Sequence, residues 1–138
     1  GISGHHRTDV LADWLGRHRF DVLLTVVNAV DRHHDDSFIE KLLPVAREKK
    51  VGVVAMKIPA YGRLLRPGNG VGMKEAFAYS LSQNGVASGI IACDNLQMLE
   101  ENVAAAHAFA KMDAGAQAAL EAKTASYWQR ASFYRDWT

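Results

Sequence analysis

Three short apolar runs without polar alternation constrain this chain most. Residues 22–27 (VLLTVV), 51–56 (VGVVAM) and 86–92 (VASGIIA) are apolar and mostly β-branched, with none of the in–out pattern of a half-solvated strand. Runs of this kind belong to strands covered on both faces, as in parallel sheets. A fourth, cut short, opens the chain at Ile2-Ser3.

Patterns of helical spacing separate them. Thr8 is placed to cap a helix burying Val10, Leu11, Trp14 and Leu15. Ser37-Phe38-Ile39-Glu40 reads as a capping box, with Phe38, Leu42, Leu43 and Ala46 on one face. Pro44 inside that pattern predicts a kink, or a short first turn with the helix restarting there. Met73, Ala76, Phe77, Ser80 and Leu81 make a third face, ended by Asn84-Gly85. Asp94-x-x-Gln97 has the form of another capping box, opening a helix with Leu96, Leu99, Val103 and Ala106 on one side. Asp113 is set to cap a last helix (Ala116, Leu120, Thr124, Tyr127), which runs into an aromatic tail of Tyr127, Trp128, Phe133, Tyr134 and Trp137.

Four βα units in a row therefore fill residues 1–138 as a single α/β domain. Right-handed crossovers make the strands parallel and bring the loops after them to one common face. A closed TIM-type (β/α)8 barrel needs eight units in about 250 residues. The pattern thus describes half of one, with a C-terminal helix and aromatic tail added. An isolated half leaves its edge strands unpaired, so the expectation is a fragment, or a half that finds a partner in the missing N-terminal half or a second copy. An open flavodoxin-like sheet competes at this length, but its Gly-rich phosphate-binding first turn is not evident.

Charge and composition narrow the function. Lys+Arg number 16 against 15 Asp+Glu, a formal net charge of +1, which argues against disorder and against a broadly basic nucleic-acid surface. No run approaches the roughly 18 apolar residues of a membrane span. The single cysteine excludes an internal disulfide and a multi-Cys zinc cage and suits a reducing compartment, so a cytoplasmic location is expected. The chain opens Gly1-Ile2-Ser3 without Met; any targeting segment is expected to have been removed or never to have belonged to this piece, or the true start lies upstream.

In α/β architectures chemistry collects at the C-terminal ends of the strands. The candidates there are Ser3, Gly4, His5 and His6; Asn28, Asp31 and Arg32; Lys57, Tyr61, Arg63 and Arg66; and Cys93, Asp94 and Asn95. The last loop turns directly into a helix, whose first N–H groups and positive dipole end suit an anion. Lys57 stands on the neighbouring loop, and Arg63 and Arg66 lie on a Gly-rich stretch able to fold over a ligand. A cofactor carrying a pyrophosphate is the natural occupant. Plainer readings stay open beside this one: Asp94 and Asn95 as ordinary caps, Arg63 and Arg66 on a solvated loop, Cys93 as a small buried apolar residue rather than a reactive thiol. The pairs His5-His6 and His33-His34 raise a metal-dependent hydrolase as an alternative, although adjacent histidines point apart and the second pair lies well past its strand. His5 is also a candidate for the wall of a substrate pocket. Two readings are open to the aromatic tail, a cover over a substrate pocket or docking across the outside of the helices; docking is the one expected. No Ser stands on a nucleophile elbow and no carboxylate pair stands out.

Taken in order, Gly1-Ile2-Ser3, then Val26-Val27-Asn28 with Asp31-Arg32, then residues 53–57 (VVAMK), then Ile90-Ile91-Ala92 through Leu99-Glu100-Glu101-Asn102 resemble the second half of an aldo/keto reductase. The resemblance covers essentially the whole chain. It implies a (β/α)8 barrel that binds NADPH in an extended pose and passes hydride to an aldehyde or ketone. It further implies that Ser3 hydrogen-bonds the nicotinamide carboxamide, that Asn28 belongs to the cofactor site, and that Lys57 lies by the pyrophosphate. Cys93, Asp94 and Asn95 then border the adenosine ribose and its phosphate, and Glu101 and Asn102 reach the adenine amino group. Departures bear on this. Gly4 stands where many members have Asn, Ala29 where many have Gln, and Met56 replaces the aromatic that stacks on the nicotinamide. Met98 replaces a basic residue that grips the 2′-phosphate, and a carboxylate at Asp94 favours a free ribose hydroxyl, which opens NADH use beside NADPH. The family's catalytic Asp, Tyr, Lys and His belong to the other half of the barrel. No residue here is therefore assigned as catalytic or metal-binding, Tyr61 and His5 stand on the wrong strands, and the chain alone is expected to be inactive. The alternative from a different class is a self-associating half-barrel that acts as a binding module.

Overall fold

The computed structural model describes residues 1–136; Trp137, the last member of the aromatic tail, lies outside the described residues. Strands β1 (Ile2–Gly4), β2 (Val22–Val26), β3 (Gly52–Met56) and β4 (Val86–Gly89) form one sheet in chain order, each neighbouring pair parallel. Helices α1 (Thr8–Arg17), α2 (Phe38–Glu48) and α3 (Met73–Ser82) connect them, and α4 (Leu96–His107), α5 (Ala114–Thr124), α6 (Trp128–Ala131) and a 3-10 turn at Phe133–Asp136 follow β4. The fold class is the parallel βα repeat expected. β4 is shorter than its apolar run: the strand ends at Gly89, and Ile90 continues as coil, its N–H still donating to the Ala55 carbonyl at 2.9 Å.

The register sorts the strand residues into two faces. Leu23 pairs with Val53 and Thr25 with Ala55, and all four are fully buried beneath the helices. Leu24 and Val54, one residue on and facing the other way, are only half-buried, while Ser3 and Ser88 in the same row are exposed. Coverage of both faces, expected from the apolar runs, therefore holds for one. In a closed barrel the second face lines the interior. Burying a residue such as Leu23 or Val53 on the covered side contributes about 1.5–3 kcal/mol, and this layer is where the sheet is held.

The helices start where side chains satisfy their first N–H groups. Ser37 Oγ accepts from Glu40 N at 3.2 Å and Asp113 Oδ1 from Ala116 N at 2.7 Å, as expected. On α4 the cap is Asn95, not Asp94, with Oδ1 accepting from Met98 N at 2.9 Å. Thr8 does not cap α1 either: it is the first helical residue, and its hydroxyl donates to the Asp36 carboxylate. Pro44 neither splits nor restarts α2, because the carbonyl it leaves unpaired belongs to Glu40, on the solvent side.

At both ends of the sheet, residues expected in the core face outward. α1 buries Leu11 and Leu15 but leaves Val10 and Trp14 exposed. α4 buries Asn102 and Ala105 and exposes Leu96, Leu99 and Val103, Leu96 to 68%. These apolar stripes flank the two sheet edges, where further βα units pack in a closed barrel. On α3, Ala78 and Tyr79 are buried beside Ala76 and Ser80, and Phe77 and Leu81 are only half-buried. The Tyr79 hydroxyl donates to Glu121 Oε1 at 2.7 Å, fastening α5 to α3.

Candidate functional site

The loop leaving β3 is built against backbone preference. Lys57, Ala60 and Tyr61 all have φ in the left-handed region, at 58°, 48° and 56°. Such residues persist only where surroundings over-determine them. Asn28 supplies the constraint from the end of β2: its Nδ2 donates to the Lys57 carbonyl at 2.7 Å and to Tyr134 Oη at 2.9 Å, and its Oδ1 accepts from Asp31 N at 3.0 Å. Asn28 is fully buried. Its amide is thus spent on shaping the Lys57 loop.

Lys57 Nζ hydrogen-bonds the Tyr61 hydroxyl and lies 4.0 Å from the centroid of that ring. Both residues line a cleft of about 430 Å³, with Met56 and Pro59 on the same wall and Ile90, Ile91 and Ala92 opposite. Gly89 lets the two walls converge at their base, since a Cβ there would come within 2.7 Å of Ile58 Cδ1. The cleft is apolar with one cation at its side. From Ala92 the chain passes through Cys93, Asp94 and Asn95, all exposed, into the N-terminus of α4. Cys93 is thus not the buried apolar residue of the plainer reading.

The other expected residues are dispersed. Asn102 turns inward, its Nδ2 donating to Ala92 O at 3.4 Å and to Cys93 Sγ at 3.3 Å, so it ties the β4–α4 loop to the helix. Glu101 is exposed and accepts from Gln97 Nε2 at 2.8 Å. Ser3 sits on the bare face of β1, two strands away from β3. Met56 and Lys57 therefore meet the chain leading to Cys93, Asp94 and Asn95, while Asn28 and Asn102 are consumed as scaffolding.

Among the described residues the aromatic tail does not run across the outside of the helices. It crosses the strand ends. Tyr134 is fully buried on Asn28, and Phe133 and Tyr134 lie 5.6 and 6.0 Å from the Tyr61 ring. Arg135 fastens the crossing: Nη1 donates to Asp31 Oδ1 at 2.7 Å, Nη2 to the Asp36 carbonyl at 2.7 Å, and the guanidinium lies 4.6 Å over the Phe38 ring. A ring nitrogen of His6 meets the Arg135 carbonyl at 2.8 Å. Burial pushes the Asp31 carboxyl up to about 6, against the Ile39 N–H, Arg135 and the Ser37 hydroxyl, which favour its charge. Sequence reasoning missed Arg135 altogether; the partners of its side chain lie 97–129 residues away, beyond any local pattern.

The histidines are engaged separately. The His5 and His6 rings lie tilted to one another with centroids 4.1 Å apart; His5 Nδ1 is buried with no hydrogen-bond partner among the described residues, and burial and the charges of His6 and Lys57 lower the His5 pKa. His33 Nε2 pairs with Thr124 Oγ1 at 2.8 Å. His34 packs edge-on against Trp128 at 4.5 Å. Among the described residues no three His, Cys, Asp or Glu side chains converge on a common point, so the hydrolase alternative finds no metal site.

Burial, and then the Arg135 charge, lower the His34 pKa from 6.5 to about 4. The unfolded chain takes up this proton near pH 6.5 and the folded chain only near 4, so stability is expected to fall as pH drops between them. Asp31 acts oppositely, since its raised value favours the folded state as pH falls through about 6. The measurement is therefore a difference: the melting temperature of His34→Gln should decline less steeply than that of the parent from pH 6.5 to 4. Parallel declines would assign the loss to another group.

Comparison with solved structures places this arrangement in a known architecture. The fold is similar to that of aldo-keto reductase AKR11C1 from Bacillus halodurans, in its holo and apo forms, with a TM-score of 0.69 and 20% sequence identity in each. The match covers 89% of this chain and 49% and 50% of those chains, so the chain spans about half the length of the structures it matches. No family model matches it, and no curated relative does. At this identity the likeness establishes the fold: four parallel βα units, corresponding to part of an aldo-keto reductase TIM barrel.

Proposed function

We propose that this chain is the cofactor-binding part of a nicotinamide-dependent carbonyl oxidoreductase of the aldo/keto-reductase type. The observation that carries the proposal is the cleft between the ends of β3 and β4, with Lys57 at its side, apolar walls, and the N-terminus of α4 beyond. The barrel likeness, which includes a holo form, supports it.

The donor set suits a dinucleotide. Lys57 offers a cation to a pyrophosphate, and the first N–H groups of α4 add partial positive charge beside residues 93–95. Met56 presents a polarisable thioether to a flat ring, and Ile90, Ile91 and Ala92 keep water from it. In the assembled site Ser3 donates from the bare face of the sheet to a carboxamide, and Cys93, Asp94 and Asn95 border a ribose. Asn28 contributes by holding the Lys57 loop, Asn102 by holding the loop before α4, and Glu101 faces the adenine end. His5 stands on the rim as part of the substrate wall. When bound, the nicotinamide supplies or accepts the hydride exchanged with an aldehyde or ketone carbon. Asp94 repels a 2′-phosphate and Met98 offers it no charge, so NADH is accepted at least as well as NADPH.

The bare inner face and the apolar stripes of α1 and α4 are met, in this reading, by the remaining βα units of a barrel, a second copy being the competing occupant. Among the described residues no helix is long and apolar enough to cross a membrane. We place the protein in the cytoplasm, without nucleic-acid or membrane partners.

Titration with NADH and NADPH, followed by nicotinamide fluorescence, tests the proposal. Both are expected to bind saturably, NADH at least as tightly, and Lys57→Met to weaken both by about tenfold, the loss of one charge-assisted contact. Absence of saturable binding of either dinucleotide overturns it.

A further inference from the structure

A second cleft of about 430 Å³ opens on the other side of the β3–α3 loop, lined by Arg63, Arg66, Asn69, Tyr127 and Arg130 among others. It shares no lining residue with the first; Tyr61, on the wall of the first, lies 5.6 Å from the Phe133 ring, against which Arg63 of the second is set. Three arginines thus line one concavity, and none of them is in an ion pair with a carboxylate among the described residues. Like charges gathered this way repel one another unless an anion joins them. Of the three, Arg63 is held in place. The Arg63 guanidinium lies 4.6 Å over the Phe133 ring, and Asn69 Nδ2 donates to the Arg63 carbonyl at 2.8 Å. Tyr127 carries a buried hydroxyl with no hydrogen-bond partner among the described residues. Planar forks of donors match the oxygens of phosphate and carboxylate two at a time.

We propose that this cleft binds an oxyanion, a phosphate or carboxylate group carried by a small ligand, at a site separate from the dinucleotide cleft. The Gly-rich loop and α6 each supply part of it, so the bound group joins the tail to the loop. The proposal goes beyond the dinucleotide reading and stands on different residues.

The test uses the 138-residue chain with inorganic phosphate and with succinate, each against sodium chloride at equal ionic strength, read by thermal shift and calorimetry. The expected result is a saturable rise in melting temperature with phosphate or succinate and none with chloride. Tighter phosphate binding assigns the site to a phosphate ester, tighter succinate binding to a carboxylate. Arg66→Gln and Arg130→Gln, both at exposed positions, should each weaken binding by about tenfold with unchanged circular dichroism. A chloride effect of equal size, undiminished binding in both variants, or displacement of phosphate by NADH overturns the proposal. Loss of phosphate binding with NADH binding intact counts against this site alone, and the converse against the dinucleotide reading alone.

Discussion

Replacing Arg135 with alanine is expected to destabilise the chain by about 3–5 kcal/mol, the usual cost of removing one partner of a buried ion pair. The Arg135 side chain is only 7% exposed and Asp31 not at all, so the orphaned carboxylate has no water to turn to. The same substitution removes the donor to the Asp36 carbonyl and the cation over Phe38. Urea denaturation followed by circular dichroism measures the loss at pH 7.5. At pH 5 the deficit should shrink, because Asp31, already raised to about 6 by burial, takes up a proton and no longer needs its partner. Arg135→Lys should fall between the two, keeping the charge without the fork. A deficit below about 1 kcal/mol for the alanine variant would show that the tail merely rests on the rim.

Carbonyl reduction by the 138-residue chain, supplied with NADH or NADPH and a simple aldehyde, is expected to be undetectable. Hydride transfer to a carbonyl needs a proton donor at the developing alkoxide, and a positioned general acid contributes about 10²–10⁴-fold by itself. In the proposed reading this donor comes from the other half of the barrel. Within the cleft the one phenol is Tyr61, which leaves β3 in a left-handed conformation, hydrogen-bonded to Lys57 and packed towards Phe133 and Tyr134. The expected pattern is dinucleotide binding without turnover. Turnover that disappears in Tyr61→Phe would overturn the assignment and make this loop catalytic.

The alternation of strands and helices was legible because each buried strand demands an apolar run and each helix start a side-chain acceptor. Ser37 and Asp113 announced their helices; Asn95 lost to its neighbour Asp94 because both residue types cap equally well and only geometry chooses. Val10, Trp14, Leu96, Leu99 and Val103 misled for a different reason. Apolar residues at helical spacing mark the face that wants cover, and among the described residues that cover is absent from both ends of the sheet. The position of Lys57 at a strand end was readable, whereas the role of Asn28 was not. A buried amide that holds a neighbouring loop and one that meets a ligand look identical in sequence, and the tail that decides between them comes more than a hundred residues later.

The clasp of Tyr134 and Arg135 also sets an order of events. Its contacts with Asn28, Asp31 and His6 close loops of 106, 104 and 129 residues, the most distant hydrogen-bonded pairings among the described residues. Closing such spans costs chain entropy before any contact rewards it, so they form late. The pairing of β1 to β4, between neighbours in the chain, needs none of these long closures. The rim is thus completed only after the sheet it crosses, and the sheet can exist before its clasp.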